Sequence, residues 1–147
     1  MHTGFIFSPG IWLGEGTITF ATSPDIIKFY TKWEISENNQ SCIHAKQVVE
    51  MQGIKEKVVN HFIFTDFTDT SFSVCLESEA MGRVQGLGAI TPVLLRWEII
   101  QSDVSSQGFE TYELQDNGTY CLHAEYKSTD PYQTTVDGLI WKKGVYT

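Results

Sequence analysis

The segment from Gly10 to Ala21 opens with a tryptophan set among glycines two residues apart and continues as an alternating run of apolar and polar residues. Side chains of a strand point alternately to opposite faces, so this pattern predicts a half-buried β-strand with Trp12 on its apolar side. A glycine inside a strand marks a bend or the close approach of another backbone. Gly14 and Gly16 therefore predict a first strand that curls, as closure of a sheet into a barrel requires.

Further segments with strand character follow at intervals of about 8 to 12 residues, the spacing typical of an all-β barrel or sandwich. They are Ile26–Ser36, Cys42–Met51, Lys55–Phe64, Ser71–Glu77, Gly82–Gly88, Thr91–Ile100, Gly108–Gln115, Thr119–Lys127 and Tyr132–Lys142. Short connections such as Asp116-Asn117-Gly118 favour antiparallel hairpins, and closing the sheet removes its exposed edges. The sequence predicts an all-β fold, an antiparallel up-and-down β-barrel of nine or ten strands, as a single domain over residues 1–147.

The segment Ile26–Ser36 leaves two interpretations open. Alternation places Phe29 and Trp33 on an apolar face and lysine and glutamate on the other, which favours a strand. Ser23-Pro24-Asp25 is also typical of a helix start, and the apolar residues fit a helical stripe as well. A helix here would cover the barrel as a lid or plug.

Two later segments carry more local expectations. Within Thr91–Ile100, alternation places Val93, Leu95, Trp97 and Ile99 on one apolar face. The segment Met81–Gly88 contains three glycines and lacks the Gly-Lys-Ser/Thr ending of a phosphate-binding loop. It is interpreted as a flexible turn or a bulged strand end at the mouth of the barrel.

Composition narrows the function classes. The 147 residues carry a net charge of −8, which opposes binding to phosphate backbones and anionic membranes. There are three cysteines with no Cys-x-x-Cys pair, the N-terminus lacks the pattern of a signal peptide, and no stretch approaches the length of a membrane span. We expect reduced thiols, a cytoplasmic location, no nucleic-acid partner and no membrane span.

Gly10-x-Trp12 on the first predicted strand resembles the Gly-x-Trp signature of the calycin superfamily, which includes lipocalins and fatty-acid-binding proteins. The resemblance implies that Trp12 closes one end of the barrel. It also implies that a basic residue near the last strand lies over the tryptophan. Lys142 is the natural candidate, and Arg96 is the second.

The longer run Gly10-Ile-Trp-Leu-Gly-Glu-Gly16 is similar to nitrobindin, a haem-binding relative with a ten-stranded barrel. That resemblance implies a haem held by a histidine near the C-terminus. The last predicted strand of this chain contains no histidine, and His123 lies one strand earlier. His123 is therefore the candidate haem ligand. The resemblance implies the nitrobindin fold more directly than it implies haem chemistry.

Cysteine and histidine recur at a spacing of two, in Cys42-x-His44 and Cys121-x-His123. Each pair places a thiol and an imidazole on the same side of a strand, and together they offer four ligands of the type that zinc prefers. A metal site would require the two strands to pair or to face each other across the barrel. The alternative is that these are surface or hydrogen-bonded side chains.

Candidate ligand-binding residues fall into two groups. The aromatic residues would line a cavity or fill a solid core, and those assigned to a ligand are Phe29, Trp33, Trp97 and Tyr112. The polar residues that would orient the ligand are Arg96, His123 and Glu125. For Arg96 the apolar face of its neighbours favours the alternative of an outward side chain paired with Glu98 on the outer face. Carboxyl groups inside predicted strands are further candidates, and those considered are Glu15, Glu98, Glu110 and Glu125.

The sequence favours a binding protein that holds a small apolar or amphipathic molecule inside the barrel. One alternative is a barrel enzyme with acid–base residues around His123 and Glu125; the other is a structural or interaction domain with a filled core. No motif indicates a particular reaction, so the catalytic residues are unknown. The sequence favours a protein that is not an enzyme. Tyr30, between two lysines on a predicted outer face, is a weak sign of an oligomer.

Overall fold

The computed structural model describes residues 4–37, 41–79, 82–103, 107–127 and 133–144. A short 3-10 turn, Phe5–Phe7, precedes ten strands. The strands are β1 (Gly10–Phe20), β2 (Ser23–Ile35), β3 (Cys42–Met51), β4 (Val58–Thr65), β5 (Ser71–Ser78), β6 (Gly82–Ile90), β7 (Leu94–Ser102), β8 (Gln107–Leu114), β9 (Tyr120–Lys127) and β10 (Gln133–Lys142). Among the described residues, no helix has the length and apolar character needed to cross a membrane.

The ten strands form a closed antiparallel barrel in which each strand pairs with its neighbours in the chain and β1 pairs with β10. The β1–β10 register runs from Trp12 opposite Lys142 to Phe20 opposite Thr134. This is the predicted up-and-down barrel, which leaves no free sheet edge. The predicted all-β fold is therefore confirmed.

The segment that left strand and helix open is the strand β2. From Phe29 to Ile35 every second residue is buried, and the intervening lysine, tyrosine and glutamate side chains are exposed. Ser23 and Asp25 do form a local cap-like contact, in which the Asp25 backbone N–H donates to Ser23 Oγ at 3.1 Å. Pairing with β1 and β3 along most of the segment outweighs that local helix signal.

Two strands begin three residues later than predicted. The strand expected from Lys55 begins at Val58, because residues 52–57 form the turn between β3 and β4. The strand expected from Thr91 begins at Leu94, and Val93 is exposed instead of lying on the inner face. Thr91 and Leu94 close a turn around Pro92, which has no backbone N–H to donate to a ladder. The start expected at Tyr132 lies outside the described residues.

The glycine-rich segment that begins after Met81 is β6, and Met81 itself lies outside the described residues. Its pairing with β7 shifts register between Gln85 and Gly86, so the bulged-strand interpretation is correct and the flexible-turn one is wrong. Gly88 is required by packing, because a Cβ there would lie 2.0 Å from the ring of Phe72.

Gly16 in β1 lies directly opposite Gly138 in β10. A Cβ on Gly16 would meet the Asp137 carbonyl oxygen at 2.0 Å and Gly138 Cα at 2.6 Å. The two backbones therefore approach more closely than any side chain permits, as the sequence predicted for this glycine. This close contact lies at the seam where the first and last strands close the barrel.

One end of the barrel is filled by the N-terminal turn. Phe5 is fully buried there, and its ring centroid lies 4.8 Å from that of Tyr112 and 5.1 Å from that of Trp33. Trp12 and Tyr120 pack against the same ring, at 5.8 and 6.0 Å. These contacts close this end, which we call the closed end, with aromatic side chains.

The residues predicted to close the barrel, Gly10, Trp12 and Lys142, meet at this closed end. Trp12 is buried, and its indole Nε1–H donates to the Ser8 carbonyl oxygen at 3.0 Å. Lys142 lies opposite Trp12 on the paired strand, and its Nζ donates to Ser8 Oγ at 2.8 Å. The two side chains therefore anchor the segment that carries Phe5. Arg96, the second candidate for this role, lies on the outer face.

Replacing Phe5 with alanine should destabilise the protein by about 3 kcal/mol or more, because the substitution leaves a cavity among four aromatic rings. Phe7→Ala is the matched control, since Phe7 belongs to the same turn but is only half-buried. Urea unfolding followed by tryptophan fluorescence measures both. Equal losses for the two variants would show that Phe5 does not close the barrel.

Candidate functional site

The end of the barrel opposite the N-terminal turn contains a cavity of about 300 Å³. It lies where β1, β3, β5, β7 and β9 end and β2, β4, β6, β8 and β10 begin. Its walls are inward-facing side chains of most strands, including Ile18, Phe29, Gln47, Val49, Met51, Val58, Asn60, Phe62, Leu76, Ser78, Glu110, Tyr112, Leu122, Ala124, Tyr126, Thr134 and Val136. We call this space the barrel cavity.

The side chains around the barrel cavity change in exposure with depth. Tyr112 and Leu122 at its base are buried, whereas Met51, Val58 and Thr134 near the strand ends are half-buried. Among the described residues, those near the strand ends are therefore the ones that contact water. The barrel cavity is an apolar space lined with a few polar groups, which is the usual form of a ligand pocket.

A carboxyl group lies in the wall of the barrel cavity. Glu110 points inward from β8, and the Tyr112 hydroxyl donates to its Oε1 at 2.5 Å. The Tyr126 hydroxyl, from β9, donates to Oε2. Trp97, directly opposite Glu110 on β7, adds a third side-chain hydrogen bond. Each oxygen of the carboxyl group thus has a hydroxyl donor.

Burial decides the ionisation of this cluster. Removal from water raises the pKa of Glu110, although the hydrogen bonds from Tyr112, Tyr126 and Trp97 act in the opposite direction. Burial also raises the pKa of both tyrosines well above the usual value, and the neighbouring carboxylate adds to the effect. The hydroxyls therefore remain protonated donors, and Glu110 is the titrating group of the barrel cavity.

A second polar cluster extends over β2, β3 and β4. Asn60 donates through Nδ2 to Gln47 Oε1 at 2.9 Å, and Gln47 donates through Nε2 to Thr31 Oγ1 at 3.1 Å. The buried Oδ1 of Asn60 has no hydrogen-bond partner among the described residues. An unpaired buried acceptor is costly to the folded state.

The predicted aromatic residues all lie inside the barrel. Phe29 and Tyr112 line the barrel cavity. Trp33 is fully buried below it in the aromatic packing, with its ring centroid 5.1 Å from that of Phe5. Trp97 lies between Phe64 and Tyr112, at 5.5 and 5.1 Å, and reaches Glu110 with its side chain.

The predicted polar residues do not reach the barrel cavity. Arg96 is exposed on the outer face, over the ring of Phe109 at 4.8 Å and 3.8 Å from Glu98. His123 and Glu125 also point outward, because Leu122 and Ala124 occupy the inner face of β9. Assigning these three side chains to an interior ligand was therefore wrong.

His123 forms an outer-face cluster instead. Its Nδ1 lies 2.6 Å from Asp137 Oδ1 on β10, and its Nε2 lies 2.8 Å from Glu125 Oε2. Both ring nitrogens are thus occupied by carboxylates, and neither is left to exchange a proton with a substrate or to bind a metal. Hydrogen bonds from the imidazolium to Asp137, and then to Glu125, raise the pKa of His123. The cluster links two strands.

The four proposed zinc ligands do not converge. Cys42 and His44 lie on β3, while Cys121 and His123 lie on β9, and these strands do not pair. All four side chains face outward, so they cannot meet across the interior either. Within the first cysteine–histidine pair, Cys42 Sγ lies 3.4 Å from His44 Nε2. Among the described residues, no group of three or more histidine, cysteine, aspartate or glutamate side chains is placed to hold a metal ion.

The haem ligand implied by the nitrobindin resemblance does not fit either. His123 is directed away from the interior, and His44 and His61 are exposed on the outer faces of their strands. The described part of the interior therefore offers no imidazole to a haem iron, and the chemistry of that relative does not extend to these residues.

Sequence reasoning did not assign Glu110, Gln47 or Asn60 to a ligand, although all three face the barrel cavity. Glu110 shares a face with Tyr112 and Leu114 at a spacing of two, but this pattern does not decide which face lies inside. The other face of β8 carries phenylalanine, threonine and glutamate, so alternation does not distinguish the two faces there. Only the register with β7 and β9 places Glu110 inside.

No family model and no curated protein matches the sequence. Among solved structures, the chain is similar to the S-type phycobiliprotein lyase CPES from Guillardia theta, with a TM-score of 0.74 and 9% sequence identity. The match covers 97% of this chain and 92% of the lyase. A de novo designed fluorescence-activating β-barrel aligns at a TM-score of 0.45 and 12% identity, over 93% of this chain and 94% of the design. The likeness to the lyase shows a common fold.

Replacing His123 with glutamine should cost more stability at pH 5 than at pH 9. The folded-state pKa of His123 is raised, so its contribution is complete below the unfolded value of about 6.5 and is lost as the pH rises through the folded value. The side chain is 38% exposed, so the difference should be about 0–1 kcal/mol.

Urea midpoints at the two pH values measure this difference, and His61→Gln, at another exposed strand histidine, is the control. A larger loss for His123→Gln at pH 9 than at pH 5 would contradict the assignment of Asp137 and Glu125 as partners of the imidazolium.

Proposed function

We propose that this protein binds a small apolar or amphipathic molecule in the barrel cavity. The observation that carries the proposal is the cavity of about 300 Å³ itself, which lies at the lower limit of ordinary ligand pockets. Its walls combine apolar side chains with a few inward polar groups. Burial of the ligand would contribute about 25 cal/mol per Å² of apolar surface removed from water.

Two alternatives receive less support. A structural domain would have a filled interior, but here the aromatic packing fills only the half of the barrel around Phe5 and Trp33. An enzyme centred on His123 and Glu125 would need these residues beside a pocket that holds a substrate. His123 lies outside the barrel cavity, and carboxylates occupy both of its ring nitrogens.

A distant relationship to the calycin superfamily forms part of this proposal. Trp12 and Lys142 lie opposite each other at the closed end and both bind Ser8, which supports the closure role that the resemblance implies. The shared barrel of the phycobiliprotein lyase supports the architecture. The ligand-binding residues proposed here are Phe29, Tyr112, Tyr126, Glu110 and Asn60, while Trp33 and Trp97 support the base of the cavity.

Filling the barrel cavity should abolish binding. Val136→Trp places an indole inside, because Val136 faces inward between Ile18 and Ala124. The matched control is Leu139→Trp, which introduces the same side chain on the outer face of the same strand. Nile red, a neutral apolar dye, should gain fluorescence with the wild-type protein and with Leu139→Trp, and its affinity for Val136→Trp should fall about tenfold or more.

Native mass spectrometry of protein purified without refolding complements the dye assay, because a retained small molecule would appear as added mass on the 16.6 kDa chain. Equal dye binding by both tryptophan variants would place any dye site outside the barrel cavity and contradict the proposal.

A further inference from the structure

The geometry points to a protonated amine on the ligand, held by the carboxylate of Glu110 inside the barrel cavity. This inference rests on the proposed function and names the chemical class of its ligand. The ligand is an apolar molecule, aromatic or aliphatic, that carries one cationic nitrogen.

The first argument is the set of partners around Glu110. An ionised carboxylate has about four acceptor positions. Tyr112 and Tyr126 each occupy one, and the Trp97 side chain occupies a third. All three partners are neutral donors. They satisfy acceptor positions of the ionised Glu110, but none of them balances its negative charge.

The second argument is the absence of an internal cation. No lysine, arginine or histidine is among the described residues that line the barrel cavity. Lys142 is at the closed end, where its amine binds Ser8. A buried carboxylate without a cation is costly, and either a proton or a positively charged group from outside relieves that cost. A ligand ammonium would supply both the charge and a donor for the remaining acceptor position.

The third argument comes from the other wall. Asn60 on β4 and Glu110 on β8 are separated by three strands of the ten-strand ring, so they line different walls. The unpaired group of Asn60 is its acceptor, Oδ1. Neither wall therefore offers a cation among its described residues, and an anionic ligand such as a fatty acid would bring further acceptors to Glu110.

The aromatic walls of the barrel cavity and the net charge of the protein both favour a positively charged ligand. Phe29, Phe62, Tyr112 and Tyr126 contribute aromatic rings to the barrel cavity, and such rings attract cations at their faces. The net charge of −8 raises the local concentration of cations and lowers that of anions. The protein as a whole thus selects against carboxylates and for amines.

Three probes on one ring system test the inference: naphthylmethylamine, naphthylmethanol and naphthoic acid. Their affinities are measured at pH 7 by displacement of Nile red and by calorimetry. The amine should bind wild-type protein about tenfold or more tightly than the alcohol, because its hydrogen bond to Glu110 is charge-assisted. The acid should bind most weakly.

Glu110→Gln should remove most of the preference for the amine over the alcohol, because the neutral amide replaces the charged acceptor. The control is Glu113→Gln, which makes the same change at an exposed position of the same strand and should preserve the preference. Circular dichroism verifies that the variants fold. If Glu110→Gln does not fold, the ranking of the three probes on wild-type protein still decides the question.

Nile red binding without a preference for the amine, or a preference that survives Glu110→Gln, overturns the inference and leaves the proposed function intact. If Nile red and all three naphthyl probes fail to bind, the proposed function fails as well, and the inference with it.

Discussion

The uneven distribution of large side chains along the barrel axis determines both its stability and its cavity. A ten-stranded barrel encloses more space than the eight-stranded kind that side chains alone fill. Here the rings of Phe5, Trp12, Trp33 and Tyr120 fill one end. Towards the other end, six of the seventeen residues that line the barrel cavity are valine, alanine, serine or threonine, whose side chains are too short to meet across the interior. The cavity therefore lies at the end that the rings of the closed end do not reach.

Tyr112 connects the two halves of the interior. One side of its ring contacts Phe5 in the aromatic packing, and its hydroxyl reaches Glu110 in the barrel cavity. The N-terminal turn therefore supports the base of the cavity although it lies at the closed end. Loss of the turn would disturb the carboxyl cluster as well as the core, because a packed interior transmits local displacement.

Alternation along the chain was enough to predict the class of fold, the antiparallel meander and the inward position of aromatic residues such as Phe29 and Trp97. It failed where both faces of a strand have mixed character. In β9, one face carries the chemically reactive side chains Cys121, His123 and Glu125. The other face, with Tyr120, Leu122 and Ala124, is more apolar and is buried, so the reactive side chains point away from the interior. Weighing both faces of a strand, instead of the chemistry of one, would have assigned β9 correctly.

Glu110 could not be assigned in that way, because its inward position depends on pairing. The β7–β8 register sets Trp97 opposite Glu110, and the β8–β9 register sets Ala124 on its other side. Trp97 provides a donor, and the small Ala124 leaves room for the carboxyl group and for the Tyr126 hydroxyl that reaches it. A slip of one residue in either register would turn the carboxyl group to solvent, where no hydroxyl would meet it. The carboxyl group is thus held in a fixed orientation by three strands, and this preorganisation would lower the ordering cost of binding the proposed ligand.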